Sequence, residues 1–196
     1  MTTGGTVAGV LLAAGDSDRF GERDKLLATL DGEPLVRHAA RTLAGADIGP
    51  VAAVVDPGSS GVRDALAGLD IAVVENYEAA AGQATSVRRG VAWARERADA
   101  VVFALGDMPR VHAETVDRVV GAYRDGRESA LAAGYEERRG NPVLFDARHF
   151  DALAALEGDT GGRGVFEAAD DAAVVETGDT GVRVDVDTPG DLDGLR

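Results

Sequence analysis

The segment AGVLLAAGDSDRFGERDK (residues 8–25) combines small and charged residues with the only lysine in this 196-residue chain. Its apolar run ends in Ala14 and Gly15, whose small or missing side chains let the backbone approach a ligand closely. The loop that follows offers backbone N–H groups and the cations Arg19 and Lys25. Because such donors and cations can together surround a phosphate, the loop is predicted to bind an anion.

The spacing of this loop excludes two glycine-rich nucleotide signatures. It fits neither the G-x-x-x-x-G-K-[ST] pattern of P-loop NTPases nor the G-x-G-x-x-G pattern of dinucleotide-binding domains. A solvated turn of mixed charge is the plain alternative. The single lysine favours phosphate binding, because a compact ammonium can fit a triphosphate where the planar guanidinium of arginine would not.

Two further loops carry carboxylates where strands are predicted to end. Asp107, in GDMP, follows the apolar run AVVFAL, and Asp185 and Asp187, in VDVDTPGDL, share one side of an extended segment by the two-residue period. Carboxylate oxygens beside a triphosphate site would suit Mg²⁺. The same motifs are also typical of an ordinary turn or helix start, so both interpretations stay open at this point.

These loops require a scaffold that brings strand ends together. Apolar runs alternate with helix-like stretches, which predicts an α/β fold with a largely parallel sheet and helices on both sides. The predicted strands are Thr6–Ala13, Val51–Val55, Ile71–Val74, Ala100–Leu105 and Ala130–Tyr135, followed by NPVLF, AAVVE and VRVDV in the last third. Short helices are predicted at DARHFDALAAL and GRGVFEAA, and Thr188–Pro189 is predicted to start a final helix that runs to the C-terminus.

The composition narrows the class of protein. The net charge of −14 repels nucleic acid and anionic membrane surfaces, and the apolar runs fall far short of the ~20 residues that span a bilayer. The absence of cysteine excludes disulfides, thiolate metal sites and a cysteine nucleophile. We therefore expect one cytoplasmic domain (residues 1–196) without nucleic-acid or membrane partners. The acid excess raises a halophilic origin as a hypothesis, with a GC-rich genome as the alternative explanation for the missing lysines.

The stretch LLAAGDSDRFGERDKLL resembles the signature L-A-[AG]-G-x-S-x-R-[MF]-G-x-x-K of molybdenum-cofactor nucleotidyltransferases. It is most similar to their MocA-like branch, the molybdopterin cytidylyltransferases. One departure is visible, since three residues, Glu22–Asp24, separate Gly21 from Lys25 where the signature has two. The resemblance extends over nearly the whole chain in ordered motifs. It implies a three-layer, Rossmann-like nucleotidyltransferase fold of the GT-A-like type, with a mostly parallel central sheet.

The resemblance also implies roles for individual residues. Arg19, Lys25 and Asp107 would be catalytic, and Asp107 and Asp187 would hold Mg²⁺, with Asp187 preferred to Asp185 because it directly precedes Thr-Pro. The implied nucleotide-binding residues are Leu12, Ala13, Ala14, Gly15, Arg19, Lys25, Asn76, Gly82 and Ser86. The implied acceptor-binding residues, in RRGNPVLF and LEGDTGGRGVF, are Asn141, Asp159 and Arg163, with Arg163 placed ahead of Arg138 and Arg139 as the partner of an acceptor phosphate.

The activity implied by the resemblance is transfer of a nucleotide from CTP to molybdopterin, with release of pyrophosphate, Mg²⁺ as cofactor and a molybdoenzyme as partner. LAAG rather than LAGG favours CTP over GTP, since the methyl group of Ala14 would crowd a larger purine. Guanylyl transfer, transfer to a sugar or alcohol phosphate, and a non-catalytic nucleotide-binding accessory protein of a molybdoenzyme stay open. The histidines, His38, His112 and His149, are interpreted as structural or surface residues.

Overall fold

The computed structural model describes residues 5–15, 20, 24–126 and 128–196. The strands are β1 (Val7–Ala13), β2 (Thr29–Leu30), β3 (Glu33–Pro34), β4 (Val51–Val55), β5 (Ala72–Glu75), β6 (Ala100–Leu105), β7 (Ala130–Tyr135), β8 (Arg138–Asp146) and β9 (Ala172–Glu176). The helices are α1 (Leu35–Ala44), α2 (Ser60–Leu66), α3 (Gln83–Arg95), α4 (Ala113–Arg124), α5 (Phe150–Ala154), α6 (Arg163–Ala168) and α7 (Pro189–Asp193).

A mostly parallel sheet forms the centre of the fold, as predicted. Its strand order is β5-β4-β1-β6-β8-β7-β9. Strand β1 pairs in parallel with both β4 and β6, whereas β8 runs antiparallel to β6 and β7. The chain builds outward from β1 to β5 and then returns to β6 on the other side of β1. The order therefore reverses between β1 and β6, the place where open α/β sheets bind ligands.

Helices cover both faces of the sheet, which confirms the three-layer arrangement. Strand β4 is buried along its whole length, which explains why it appears in the sequence as a continuous apolar run. Neighbouring residues of β1 face opposite cores: Leu11 packs with α1, α2 and α4, and Val10 packs with α3, α5 and α6. Within the described ranges, no helix combines the length and apolar character needed to cross a membrane.

The prediction of a strand at VRVDV was wrong. The segment begins instead as a 3-10 turn, Thr180–Arg183, because the Asp179 carboxylate accepts a hydrogen bond from Gly181 N at 2.8 Å. Val182 and Val186 are buried as alternate apolar residues of a strand would be, yet they pack in separate clusters. The final helix also stops before the C-terminus, at Asp193.

Candidate active site

A cavity of about 750 Å³ opens at the carboxyl edge of the sheet, between the ends of β1 and β6 and the start of α3. It lies at the reversal of strand order, where Leu12 of β1 pairs with Leu105 of β6. The sequence-predicted residues that line it are Leu12, Ala14, Gly15, Lys25, Gly82, Ser86, Asp107, Asp159 and Asp187. The fold thus places residues of the predicted phosphate-binding loop (Gly15 and Lys25) and of both carboxylate loops (Asp107 and Asp187) around one cavity.

Lys25 joins the two carboxylates that were predicted to hold metal. Its Nζ donates to Asp107 Oδ2 at 2.7 Å and to Asp187 Oδ1 at 2.8 Å. The Lys25 side chain is only 13% exposed, Asp107 is 19% exposed and Asp187 is 41% exposed. The expectation that Lys25 serves the phosphates alone is therefore incomplete, because in this structure its ammonium neutralises part of an acidic pair.

The environment of Lys25 keeps its ammonium charged. Burial lowers the pKa of Lys25, but hydrogen bonds and charge attraction from Asp107 and Asp187 outweigh burial, so the net pKa is raised above its ordinary value. The lysine is placed by a 3-10 turn, Lys25–Leu27, in which Asp24 accepts from Leu26 N at 2.9 Å and Leu26 is buried. The turn that Asp24 caps thus directs the Lys25 ammonium toward the carboxylates.

Asp187 reaches the site through the segment that precedes α7. Val186 N donates to the carbonyl oxygen of Asp107 at 3.0 Å, and the Val186 side chain is fully buried. Thr188 and Asp191 form a reciprocal capping box at the start of α7. These contacts hold Asp187 beside Asp107, whereas Asp185 does not line the cavity.

The carboxylate pair suits a divalent cation. Asp107 Oδ1 is buried and has no hydrogen-bond partner in the part of the chain that the structure describes. Among those residues, no group of three or more histidine or acidic side chains could enclose a metal. Mg²⁺ is commonly held by one or two carboxylates together with substrate phosphates, so Asp107 and Asp187 form a fitting protein share of such a site.

Two of the predicted nucleotide-binding residues support the cavity without lining it. Asn76 is fully buried, and its Nδ2 donates to Thr85 Oγ1 at 2.8 Å and to Ser86 Oγ at 3.0 Å. It therefore positions Ser86, which does line the cavity. Ala13 is also buried and packs in the core on the side of α1.

Gly82 marks a close approach between two loops. Its φ is 107° and its ψ is 170°, a combination that is essentially restricted to glycine. A Cβ at this position would lie 2.5 Å from the carbonyl oxygen of Gly158, in the loop that carries Asp159. Asp159 Oδ1 in turn accepts from Gln83 N at 3.3 Å. The predicted acceptor-side loop thus packs directly on the start of α3.

Replacing Gly82 with alanine is expected to lower the free energy of unfolding by about 2–4 kcal/mol, because the strained backbone and the contact with Gly158 act together. Nucleotide binding should weaken in parallel. Gly68→Ala is the matched control: its φ is also positive, at 82°, but no atom lies within 4 Å of the added Cβ. That control should lose only about 1–2 kcal/mol. Equal losses in urea unfolding would contradict the packing argument.

Two predicted acceptor-binding residues, Arg163 and Asn141, are not part of the cavity lining. Arg163 begins α6 as an exposed residue whose Nε donates to Glu167 at 2.6 Å. Asn141 lines a separate small cavity with Thr42, Met108 and Pro142. Arg19 lies outside the described residues.

The structure adds lining residues that sequence reasoning missed, namely Leu26, Ala79, Ala80, Ala81, Gln83, Leu105 and Gly106. The alanine run directly before Gly82 was the available signal, because small side chains leave room for a ligand. Leu26 and Leu105 carried no such signal, since in the sequence they are ordinary apolar residues.

A family model described as the MobA-like NTP transferase domain matches residues 9–173. The chain belongs to this family. The matched range includes most of β1, the Lys25 turn, the Gly82 loop and Asp107, and it ends before Asp187. The resemblance to molybdenum-cofactor nucleotidyltransferases is thereby confirmed at the level of the family.

Individual relatives of this MobA-like chain carry different names. The nicotine blue oxidoreductase of Paenarthrobacter nicotinovorans is 34% identical over 164 residues, which cover 80% of this chain and 79% of that protein. The molybdenum cofactor guanylyltransferase of Mesorhizobium japonicum is 30% identical, with 75% of this chain and 70% of that protein covered. The structure of Rv0371c from Mycobacterium tuberculosis in complex with manganese superposes with a TM-score of 0.77 at 28% identity, covering 97% of each chain.

Proposed function

We propose that this protein is a Mg²⁺-dependent nucleotidyltransferase that transfers CMP from CTP to molybdopterin and releases pyrophosphate. The observation that carries the proposal is the pairing of Asp107 and Asp187 through Lys25 in a cavity at the reversal of strand order. The buried, unpartnered Oδ1 of Asp107 supports a metal there. The manganese complex of Rv0371c is consistent with the use of a divalent ion.

The reaction joins an acceptor phosphate oxygen to the α-phosphorus of the nucleotide while the bond to the pyrophosphate oxygen breaks. A bound divalent ion would supply charge neutralisation at the transferring phosphate. The chain contributes Asp107 and Asp187 to hold that ion, and Lys25 as a fixed ammonium for the phosphates. Arg19 and the backbone N–H groups after Gly15 are proposed to bind the leaving pyrophosphate. Such catalysis depends on positioning and charge more than on a protein base.

The proposed nucleotide-binding and acceptor-binding residues differ in how many of them line the cavity. On the nucleotide side, Ser86 and Gly82 line the cavity, while Asn76 acts through Ser86. On the acceptor side, Asp159 lines it, and Arg163 stands at the end of the same loop as a proposed partner of the acceptor phosphate. Asn141 stays a proposed acceptor residue without support from the cavity lining, since it lines the separate small cavity.

Guanylyl transfer is the nearest competing activity, and one relative bears that name. The Ala14 methyl group, which lies on the cavity wall, supports CTP because it leaves less space for a purine. A sugar or alcohol phosphate is the alternative acceptor. The name of another relative, the nicotine blue oxidoreductase, suggests a redox reaction as a further alternative. Paired hard carboxylates next to an ammonium favour phosphoryl chemistry instead, since they suit Mg²⁺ and phosphates. A molybdoenzyme is the proposed protein partner. A non-catalytic accessory role for such an enzyme is the remaining alternative, and nucleotide binding without turnover would support it.

The test is pyrophosphate release with molybdopterin and each of the four common NTPs, with and without Mg²⁺. CTP is expected to give the fastest release, and only in the presence of the divalent ion. A preference for GTP would replace the cytidylyl assignment with a guanylyl one. Nucleotide binding in thermal-shift measurements without any turnover would support the accessory role. Neither binding nor turnover with any NTP would overturn the proposed function.

A further inference from the structure

Arg139, near the start of β8, is an unusual cation because its guanidinium is partly buried and forms no ion pair with a carboxylate of the described residues. Its Nη1 is buried and has no hydrogen-bond partner among the residues that the structure describes. The guanidinium lies over the ring of Phe166, 4.9 Å from the ring centre. Burying an unpaired N–H group of a charged side chain is costly, so a ligand that accepts a hydrogen bond there would remove that cost.

The position of Arg139 relates it to the active-site cavity. Val143 of β8 pairs with Phe103 of β6, so the start of β8 extends past the end of β6, at the same edge of the sheet as the cavity. Phe166 packs in the core on the side of α3, whose first turn lines the cavity. Its helix, α6, directly follows the loop that carries Asp159. Arg139 therefore lies at the same edge of the sheet as the cavity and on the same face of the sheet as α3.

The charges around Arg139 favour an anion. Burial lowers the pKa of Arg139, the nearby charge of Arg163 lowers it further, and Glu167 acts in the opposite direction with a smaller effect. Glu167 is already engaged with Arg163. Two guanidiniums thus share one carboxylate, which leaves a local positive charge in a chain whose net charge is −14.

We propose that Arg139, stacked on Phe166 and beside Arg163, binds a phosphate group of the acceptor. The inference rests on the proposed function, which it deepens by assigning the residue that recognises the second substrate. A planar guanidinium held against an aromatic ring is well suited to donate two parallel hydrogen bonds to phosphate oxygens. The proposed ligand group is a phosphate, which both the acceptor and the nucleotide carry. The experiment below distinguishes these two sources of the phosphate.

The experiment compares wild type with Arg139→Gln in titrations with inorganic phosphate and, separately, with Mg²⁺ and CTP or GTP. Binding is followed by the arginine Nε–H signals in NMR spectra. Phosphate affinity is expected to fall about tenfold or more in Arg139→Gln, because a charge-assisted contact is lost. Nucleotide affinity should stay within about twofold. Arg138→Gln is the matched control, since Arg138 is the exposed neighbour on the opposite face of the strand and should leave both affinities unchanged.

A stability measurement separates binding from a structural role. Arg139→Met keeps an unbranched chain on Phe166 but removes the unpaired N–H group, so its melting temperature should equal or exceed that of wild type. A clearly lower value would indicate that Arg139 serves the fold and would count against the proposal. If either variant failed to fold, Arg139→Lys, which keeps the charge but not the planar fork, would provide the same comparison of phosphate and nucleotide affinities.

The outcomes remain distinguishable from failure of the proposed function. Phosphate affinity that is equal in wild type and Arg139→Gln would overturn the inference even if both proteins bind nucleotide. A parallel loss of phosphate and nucleotide affinity would assign Arg139 to the nucleotide and overturn the acceptor assignment. A wild-type protein that binds phosphate through Arg139 but binds neither CTP nor GTP would overturn the proposed function and leave Arg139 as an anion site.

Discussion

Replacing Asp107 with asparagine is expected to reduce nucleotidyl transfer by about 10²–10³-fold, the scale seen when one preorganised electrostatic contact is removed. The substitution keeps the shape of the side chain but removes the charge that faces both Lys25 and the proposed metal. Lys25 retains Asp187 at 2.8 Å, so the chain should stay folded. Pyrophosphate release and Mn²⁺ binding by electron paramagnetic resonance, measured on the same preparation, check both parts of the expectation.

Asp185→Asn is the matched control for Asp107→Asn. It removes the same charge from the segment that carries Asp187, but Asp185 does not line the cavity. Its activity and its Mn²⁺ affinity should stay close to those of wild type. If Asp107→Asn retained activity comparable to that control, Asp107 would have no place in the catalytic site and the metal assignment would fail with it.

Replacing Lys25 with methionine is expected to lower nucleotidyl transfer by about 10²-fold or more, because a fixed cation for the phosphates is lost. The structure adds a second effect. Without the ammonium, the partly buried Asp107 carboxylate loses its hydrogen bond to Lys25, so the free energy of unfolding should fall by about 1–3 kcal/mol in the absence of divalent ions. The two short contacts to Asp107 and Asp187 thus make Lys25 important for stability as well as for nucleotide use.

Metal binding provides the decisive measurement on Lys25. An ammonium between two carboxylates repels a divalent cation and occupies oxygens that the cation would use. The Lys25→Met protein should therefore bind Mn²⁺ more tightly than wild type when no nucleotide is present, and Mn²⁺ should recover much of its lost stability. Lys25→Arg keeps the charge and serves as the control, with Mn²⁺ affinity near that of wild type. Weaker Mn²⁺ binding by Lys25→Met would contradict this account.

The scaffold could be predicted closely because its main strands are buried on both faces. Runs such as Val51–Val55 and Ala100–Leu105 must be apolar at every position, so their bounds in the sequence match those in the structure. The same reasoning failed at VRVDV. Val182 and Val186 there are buried and Val184 is half-buried, but Asp179 closes a turn on Gly181 and the segment pairs with no strand of the described residues. A two-residue period in the sequence indicates only that alternate side chains are buried. Formation of a strand also requires a neighbouring strand with which the segment can pair.

The residue types of the site were also visible in the sequence, because loops at the carboxyl ends of parallel strands converge at one edge. Gly15, Lys25, Asp107 and Asp187 could be placed together on that basis and by resemblance. The contacts that these residues make with one another could not be predicted. Lys25 is 82 positions from Asp107 and 162 from Asp187, and nothing in either local pattern says which oxygens the ammonium meets.

The sequence by itself determined the fold class, the family and the supply of phosphate-binding and metal-binding residues, since these follow from apolar periodicity and from motifs read in order. Only the tertiary structure decided how those residues are used. It made Lys25 the bridge between two carboxylates, turned Asn76 into a support for Ser86, and left Arg139 rather than Arg163 with an unpartnered, buried N–H group. The physical reason is that burial and pairing depend on contacts between distant segments, which no local spacing specifies.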